Sequence, residues 1–340
     1  MTVALAATAA LSQLHADARV TDRPPAPMVI GAVPYWDRSA ALTSMHEYAR
    51  FIDVVSPWSY SVARDGTLTA AAGAGPDADS ALPVGSGADR IRTVPTITNT
   101  TDGQWDRETI AAVLRDRALR RTHVEALTDL VTTHGFDGIQ IDYEDLSAAD
   151  RDDFSTFVGD LGTALHRIGR VLDVAVHAKP TDAGYGQHNE AQDYAAIAAG
   201  ADRVIVMAYD RHWATSTAGP IAPYDWVEEV VRYAVTRIPR EKLVLGVGLY
   251  GYDWVGSAGT PLTWTEVMSV AAAHRPSMRW DETALSTHFT YVVEGITHEV
   301  WFENARSVRA RAALARRHGL AGVALWRLGG EDPSIWRCSL

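Results

Sequence analysis

Eight short runs of mostly apolar residues recur along the chain, and each has the length of one β-strand. They occupy residues 28–35, 51–58, 91–98, 136–143, 171–178, 202–209, 242–249 and 319–326. Runs that stay apolar instead of alternating are typical of parallel strands that are covered on both faces. The pattern therefore predicts a parallel sheet with helices packed on it.

Segments with helical periodicity separate most of these runs. The clearest follows the fourth run, where Ser147 can cap a helix and the apolar residues behind it recur at steps of three and four: Phe154, Phe157, Val158, Leu161, Leu165 and Ile168. Eight alternating strand and helix units predict closure into a (β/α)8 TIM barrel, an α/β fold. An open, doubly wound sheet is the alternative with the same alternation.

The gap between the seventh and eighth runs is nearly twice as long as the others, which predicts an insertion at about 255–303. Within this gap, residues 289–293 and 298–302 have strand composition and flank Glu294-Gly295, a pattern typical of a β-hairpin. We therefore expect a small α+β insertion between strands seven and eight.

The sequence divides into an N-terminal segment and one barrel domain. Three prolines, Pro24, Pro25 and Pro27, prevent a helix from continuing through this stretch, which is interpreted as a linker. We expect an N-terminal segment and linker at 1–27 and the catalytic barrel at 28–340.

Composition excludes several classes of partner. The chain of 340 residues has a net charge of −11, whereas nucleic-acid binding needs clustered Lys and Arg, so no nucleic acid is expected. No run approaches the roughly 20 apolar residues that span a bilayer, so no membrane span is expected. With Cys338 as the only cysteine, neither an intramolecular disulfide nor a cysteine metal site can form. We expect a monomer.

The fourth run carries a polar row. Alternate residues of a strand share a face, so Gly138, Gln140, Asp142 and Glu144 point one way while Ile139, Ile141 and Tyr143 point the other. In a barrel the isoleucine face meets the helices and the polar row faces the axis. Buried carboxylates are costly, so this row predicts a functional site.

Asp142 and Glu144 suit acid–base chemistry. Two residues apart on a strand, they lie about 6 to 7 Å apart at the backbone, and like charges at that range raise the pKa of one group. We assign the general-acid role to Glu144, which lies nearest the C-terminal end of the strand, where such barrels carry their active sites. The alternative is structural: the two acids cap a helix or pair with basic residues.

The segment Asp137-Gly-Ile-Gln140-Ile-Asp142-Tyr-Glu144 resembles the D-G-x-D-x-D-x-E signature of glycoside hydrolase family 18, the chitinases and their relatives. Two further segments resemble the family in the same order, Met207-Ala-Tyr209-Asp210 and the strand-eight tryptophan Trp326. Residues 219–254 are similar to the branch of bacterial spore cortex-lytic N-acetylglucosaminidases.

The resemblance implies retaining, substrate-assisted hydrolysis of β-linked N-acetylglucosamine glycans, such as peptidoglycan or chitin-type oligosaccharides, with an oxazolinium intermediate and no cofactor. It assigns proton transfer to Glu144, stabilisation of the intermediate to Asp142 and a hydrogen bond to the acetamido oxygen to Tyr209. Six further residues belong to the substrate-binding site on this resemblance: Gln140, Asp137, Met207, Asp210, Trp326 and Tyr35. Asp137 would organise the start of the strand, Met207 would line the pocket, and Asp210 and Tyr35 would support the bound sugar.

Gln140 departs from the family pattern, which often has Asp there. A glutamine can donate to Asp142 but cannot share a proton with it, so we expect a simpler titration. One alternative is a catalytically inactive, lectin-like barrel that binds carbohydrate. A conventional retaining glycosidase, which forms a covalent ester on a second carboxylate, is another.

Other signals are weaker. Five tryptophans at or after strand ends are candidates for stacking on sugar rings: Trp36, Trp58, Trp105, Trp213 and Trp254. His177 and Lys179 share a strand face and border the cleft or serve structure. No spacing of histidines or acids predicts a metal site, and Gly246-x-Gly248-x-x-Gly251 lacks the helix that a dinucleotide site requires. No convincing signal peptide is present, so an extracellular or cell-envelope location is expected from the substrate alone.

Overall fold

The computed structural model describes residues 27–75, 78, 79, 82, 90–337 and 340, and within them eight parallel strands close into a barrel. Barrel strands 1 to 8 are Met28–Pro34, Val54–Val62, Thr96–Thr98 with Arg92–Thr93 before it, Gly138–Asp142, Val171–His177, Arg203–Met207, Leu243–Gly248 and Gly322–Trp326. Strand 1 pairs in parallel with both strand 8 and strand 2, which closes the barrel. The predicted TIM barrel is confirmed, and the open-sheet alternative is wrong.

Helices surround the barrel at Arg38–Glu47, Arg107–Arg115, Arg117–His134, Arg151–Arg167, Gln187–Glu190, Tyr194–Gly200, Tyr224–Ala234 and Ala305–His318. The helix expected behind Ser147 is confirmed as Arg151–Arg167. At its start, the backbone N–H and the hydroxyl of Ser147 both donate to the Asp150 carboxylate at 2.9 Å. Phe154, Phe157 and Leu161 of this helix are fully buried in the core between barrel and helices. Five of the six predicted positions therefore lie on the packed face, whereas Ile168 follows the end of the helix and is 40% exposed.

The insertion is a five-stranded antiparallel sheet with one helix, Trp264–His274. Its strands are Tyr250–Val255, Ala258–Thr263, Arg279–Asp281, Ser286–Val293 and Ile296–Phe302. The last two pair across Glu294-Gly295, which confirms the hairpin. The insertion begins at Tyr250 because the chain leaves barrel strand 7 directly into a strand that pairs with Ile296–Phe302.

A buried arginine fastens the insertion to the barrel. Arg311 is 1% exposed and donates to the carbonyl oxygens of Leu285 and Ala284, while its carboxylate neighbour is Glu303 at 3.5 Å. Arg311 also donates to the carbonyl of Ala222. Such charge-assisted bonds between buried groups join the insertion to the helix Ala305–His318 and to the segment after barrel strand 6.

The N-terminal segment expected at 1–27 lies outside the described residues except for Pro27. No helix among the described residues has the length and apolarity that a membrane crossing requires. Two further antiparallel pairings involve short strands. Leu68–Ala70 pairs with barrel strand 2, and Thr100–Thr101 pairs with Gln104–Trp105.

Candidate active site

The alternation predicted for barrel strand 4 is confirmed. Ile139, Ile141 and Tyr143 are 0% exposed and pack in the core beneath the helices. On the opposite face, Gln140 and Asp142 line a small cavity of about 30 Å³ at the barrel axis. The polar row therefore points where the sequence predicted.

Two cavities meet at the C-terminal mouth of the barrel. A cleft of about 620 Å³ holds Glu144, and the small axial cavity holds Asp142. Met207 and Tyr209, at the end of barrel strand 6, line both of them. The acidic pair is thus divided between two cavities that share a wall, and Tyr209 lies in that wall.

Asp142 is buried with one oxygen free. Its Oδ2 accepts a hydrogen bond from Nε1 of Trp58 at 3.3 Å, while Oδ1 has no partner among the described residues. Burial raises the pKa of Asp142 from its ordinary value to about 6, and the Trp58 bond opposes that rise. A buried carboxylate oxygen without a partner calls for an explanation, and a ligand N–H group entering the axial cavity is one candidate partner.

Glu144 is fixed through its backbone and left open at its carboxyl. Asn99, which follows barrel strand 3, accepts from the Glu144 N–H at 2.8 Å and donates to the Glu144 carbonyl oxygen at 2.9 Å. Burial first, and then the negative charge of Asp142, raises the pKa of Glu144 well above its ordinary value. This shift favours the protonated form, which is the form that a general acid needs.

Asp145 and Asp210 line the cleft and adopt the left-handed backbone conformation. Each directly follows a site residue, Glu144 or Tyr209, and their φ angles are 57° and 55°. Aspartate is one of the few side chains that tolerates this left-handed conformation.

Tyr209 depends on a glycine for its space. A Cβ added at Gly246 would lie 2.7 Å from the carbonyl oxygen of Val206 and 3.1 Å from Cε1 of Tyr209. Burial raises the pKa of Tyr209 well above its ordinary value, so its hydroxyl stays protonated and can donate. Beside it, Tyr250 donates to the Asp210 carboxylate at 2.5 Å.

Gln140 binds away from Asp142. Its Nε2 donates to Oγ1 of Thr96 at 3.1 Å, Thr96 lies 2.7 Å from the hydroxyl of Ser56, and Ser56 donates to the carbonyl of Val94. The expected contact of Gln140 with Asp142 is absent among the described hydrogen bonds. The reason is that Thr96 and Ser56 on the neighbouring strands already form an acceptor chain for the amide.

Asp137 and Tyr35 lie apart from the acidic pair. Asp137 precedes barrel strand 4 at its opposite end, where it pairs with Arg90 at 2.5 Å and accepts from the Thr93 N–H at 2.8 Å. Asp137 ties strands 3 and 4 together at that end and lines neither cavity. Tyr35 stacks on Trp58 with ring centroids 6.0 Å apart, behind the residue that holds Asp142.

Tryptophans surround the two cavities. Trp326 lines the axial cavity, and its ring lies 6.2 Å from both Trp36 and Trp58. Trp105 and Trp213 line the cleft, and Trp213 is 54% exposed. Trp254, the fifth stacking candidate, is 1% exposed and packs in the insertion, so it cannot meet a ligand.

His177 and Lys179, which the sequence places on one face of strand 5, have different roles. His177 lines the cleft, with Nε2 3.8 Å from Oε2 of Glu144. Lys179 is 0% exposed and its ammonium is bound by Asp182 and two backbone carbonyls, so it is structural. No group of three or more His, Cys, Asp and Glu side chains in the described part of the chain is arranged to hold a metal ion.

Comparisons with known proteins match both the fold and the motifs. Residues 90–331 match the family model of glycosyl hydrolases family 18. The cortical fragment-lytic enzyme of Bacillus anthracis is 28% identical over 296 residues, which cover 84% of this chain and 67% of the relative. A chitinase from Chromobacterium violaceum has a crystal structure with a TM-score of 0.83 at 31% identity, over 92% of this chain and 97% of that one. The spore cortex-lytic enzyme SleL of Bacillus cereus gives 0.82 at 25% identity, over 92% and 73%.

A TIM barrel with an acidic pair at the end of strand 4 fits a glycosidase, and the family match and the named relatives show that class. The chain belongs to glycosyl hydrolases family 18. Its similarity to cortex-lytic enzymes confirms the branch inferred from residues 219–254.

Proposed function

We propose that the protein hydrolyses β-linked N-acetylglucosamine glycans with retention, using the substrate's own acetamido oxygen as the nucleophile. One observation carries this proposal: Tyr209 lines both the cleft with Glu144 and the small cavity with Asp142. A sugar in the cleft can therefore direct its 2-acetamido group into the axial cavity, between Asp142 and Tyr209.

Glu144 acts first as acid and then as base. Its raised pKa favours the protonated form, from which it donates its proton to the glycosidic oxygen as that bond breaks. The acetamido oxygen attacks the anomeric carbon and closes an oxazolinium ring. The Glu144 carboxylate then takes a proton from water, whose oxygen opens the ring, and the acid is restored.

Asp142 and Tyr209 hold the acetamido group. The free Oδ1 of Asp142 accepts the acetamido N–H, and its negative charge stabilises the oxazolinium cation. The Tyr209 hydroxyl donates to the acetamido oxygen. Met207 forms an apolar wall, and Trp326 lies under the sugar ring.

The remaining predicted site residues support these groups. Gln140 anchors to Thr96 and leaves Asp142 as the single titrating acid of the axial cavity. Asp137 holds the start of barrel strand 4, Tyr35 backs Trp58, and Asp210 fixes Tyr250 beside Tyr209.

The substrate class follows from the cleft and from its relatives' named activities. Cleft and cavity accept neutral N-acetylated sugars on aromatic surfaces, as polymers of peptidoglycan or chitin type present them. Such polymers lie outside the cytoplasm, so we place the enzyme in the cell envelope or outside the cell and expect it to act as a monomer.

Turnover of a chromogenic N-acetylglucosamine oligomer tests the proposal. We expect release by the native protein, loss of about 100- to 10,000-fold in kcat in Glu144→Gln, and strong inhibition by a thiazoline mimic of the oxazolinium. The matched control is Glu125→Gln, an exposed residue on the helix Arg117–His134. Binding of the oligomer with no release would identify a lectin, and a trapped covalent ester would identify a conventional retaining mechanism.

A further inference from the structure

His177 is the neighbour of Glu144 by register. Barrel strands 4 and 5 pair in parallel with Gly138 opposite Val171 and Ile141 opposite Val174. The pairing ends there, and the same register continued for three residues would bring Glu144 level with His177. Both side chains line the cleft.

The end of strand 5 is fastened to the end of strand 4. Gln192, 1% exposed, accepts from the His177 N–H at 2.6 Å and donates to the carbonyl oxygen of Tyr143 at 3.3 Å. The hydroxyl of Tyr194 donates to the His177 carbonyl at 2.5 Å. With Asn99 holding Glu144 from the other side, the spacing between the His177 ring and the Glu144 carboxyl is fixed by three buried side chains.

The His177 ring has an unused nitrogen directed at the carboxyl. Nε2 is buried, lies 3.8 Å from Oε2 of Glu144 and has no hydrogen-bond partner among the described residues. On its other side the ring meets His188 edge-on, with centroids 4.7 Å apart. A buried polar atom without a partner calls for an explanation, and here a titrating carboxyl lies within one side-chain rotation.

The surroundings keep His177 neutral. Burial first, and then the charges of His188 and Lys179, lowers the pKa of His177 to about 3. The other charged groups that line the same cleft are Asp145, Asp210 and Arg211. A neutral imidazole carries one proton and one lone pair, so its unprotonated nitrogen can only accept.

We propose that His177 is a positioning residue whose Nε2 accepts a hydrogen bond from the protonated carboxyl of Glu144. The bond holds the carboxyl in one orientation between turnovers and favours its protonated form. It therefore keeps the Glu144 carboxyl protonated up to a higher pH than burial and the charge of Asp142 alone would. The inference rests on the proposed function for its catalytic meaning, but it concerns the ionisation of Glu144, which can be measured without turnover.

Two substitutions of His177 distinguish its role as a hydrogen-bond acceptor from its role in packing. His177→Leu fills the space but offers no acceptor, so the alkaline limb of kcat/KM is expected about one pH unit lower, with KM changed less than about twofold. His177→Gln places a carbonyl acceptor near the same position and is expected to recover most of that shift. His46→Ala, an exposed histidine on Arg38–Glu47, is the control and leaves the limb unchanged.

Carbon NMR titration of the Glu144 carboxyl, assigned by its loss in Glu144→Gln, gives the same pKa in the resting protein. If the His177→Leu shift appears there while no glycan is cleaved, the positioning role stands and the proposed function fails. If glycans are cleaved and neither limb nor NMR titration moves, the positioning role is overturned. In the native protein, nitrogen NMR is expected to show Nδ1 of His177 protonated and Nε2 bare; a protonated Nε2 contradicts the inference even if the variants do not fold.

Discussion

The side-chain amide of Asn99 holds both backbone hydrogen-bonding groups of Glu144, accepting from the N–H at 2.8 Å and donating to the carbonyl at 2.9 Å. Asn99 is 1% exposed and directly follows barrel strand 3. Two bonds from one planar amide fix the position of the Glu144 backbone more tightly than either bond alone. The point from which the Glu144 side chain leaves the backbone is thus fixed by Asn99.

Asn99→Ala is expected to lower kcat by about 10- to 100-fold with little change in KM, because a loosened acid loses its alignment with the glycosidic oxygen. Asn99→Asp keeps the acceptor for the N–H and loses the donor to the carbonyl, so it is expected to fall between. Steady-state kinetics with circular dichroism of each variant check this. A pure KM effect in Asn99→Ala would contradict a positioning role.

Gly246→Ala is expected to displace Tyr209. The added Cβ meets the Val206 backbone at 2.7 Å and the Tyr209 ring at 3.1 Å, and the backbone cannot yield. We predict a fall in kcat of about tenfold or more, similar to that of Tyr209→Phe. Gly159→Ala, on the outer helix with open space around its Cβ, is the matched control and keeps full activity. Full activity in Gly246→Ala would show that the added Cβ does not displace Tyr209, and full activity in Tyr209→Phe would remove its hydroxyl from the mechanism.

The buried carboxylate of Asp142 is expected to lower the free energy of unfolding at the pH values at which the active site needs it ionised. Its pKa is about 6 when folded, so between its ordinary value and 6 the folded state binds more protons than the unfolded state, and stability falls as pH rises. At pH 8 the cost is about 3 kcal/mol. Asp142→Asn is therefore expected to be inactive but more stable than the native protein at pH 8, with the difference shrinking towards pH 4. Urea unfolding across this range measures it; a pH-independent difference would refute the buried charge.

Asp142 also sets the acid limb of activity. Stabilising the oxazolinium requires its carboxylate, which forms as pH rises through about 6. We predict that log kcat/KM falls below that pH with a slope of one, because Asp142 binds one proton and Gln140 cannot bind a second. A slope of two protons would indicate a second titrating acid in the axial cavity.

Trp213 is expected to bind the far units of a long substrate. It is 54% exposed and lines the cleft, so Trp213→Ala should raise KM by about 3- to 10-fold for longer oligomers while sparing a disaccharide substrate. Trp280→Ala, in the insertion and outside both cavities, is the control. Equal effects on short and long substrates would exclude this role.

The barrel and the polar row were predictable because each rests on periodicity. Continuous apolar runs define the eight strands, and the alternation around Asp142 follows from strand geometry alone. The start of the insertion at Tyr250 was missed because the apolar run of strand 7 continues without a break into the next strand.

The partners of the site residues were not predictable. Asn99 and Gln192 bind backbone groups of residues that are distant in the chain, and a single sequence does not show which backbone group each amide binds; Glu144 lies 45 positions from Asn99. A glutamine at position 140 can donate to Asp142, but the bond that Gln140 makes to Thr96 depends on the register of two strands. One signal was available for Asn99: it is a polar residue at the C-terminal end of a barrel strand, where active sites of this fold lie.

The most direct test of the central claim compares aryl N-acetylglucosaminides whose acetamido group carries zero, one, two or three fluorines. If the acetamido oxygen attacks the anomeric carbon between Asp142 and Tyr209, each fluorine weakens the nucleophile, and kcat/KM falls steeply along the series. A rate that does not respond to fluorination, together with a sugar ester on the protein by mass spectrometry, would contradict the account.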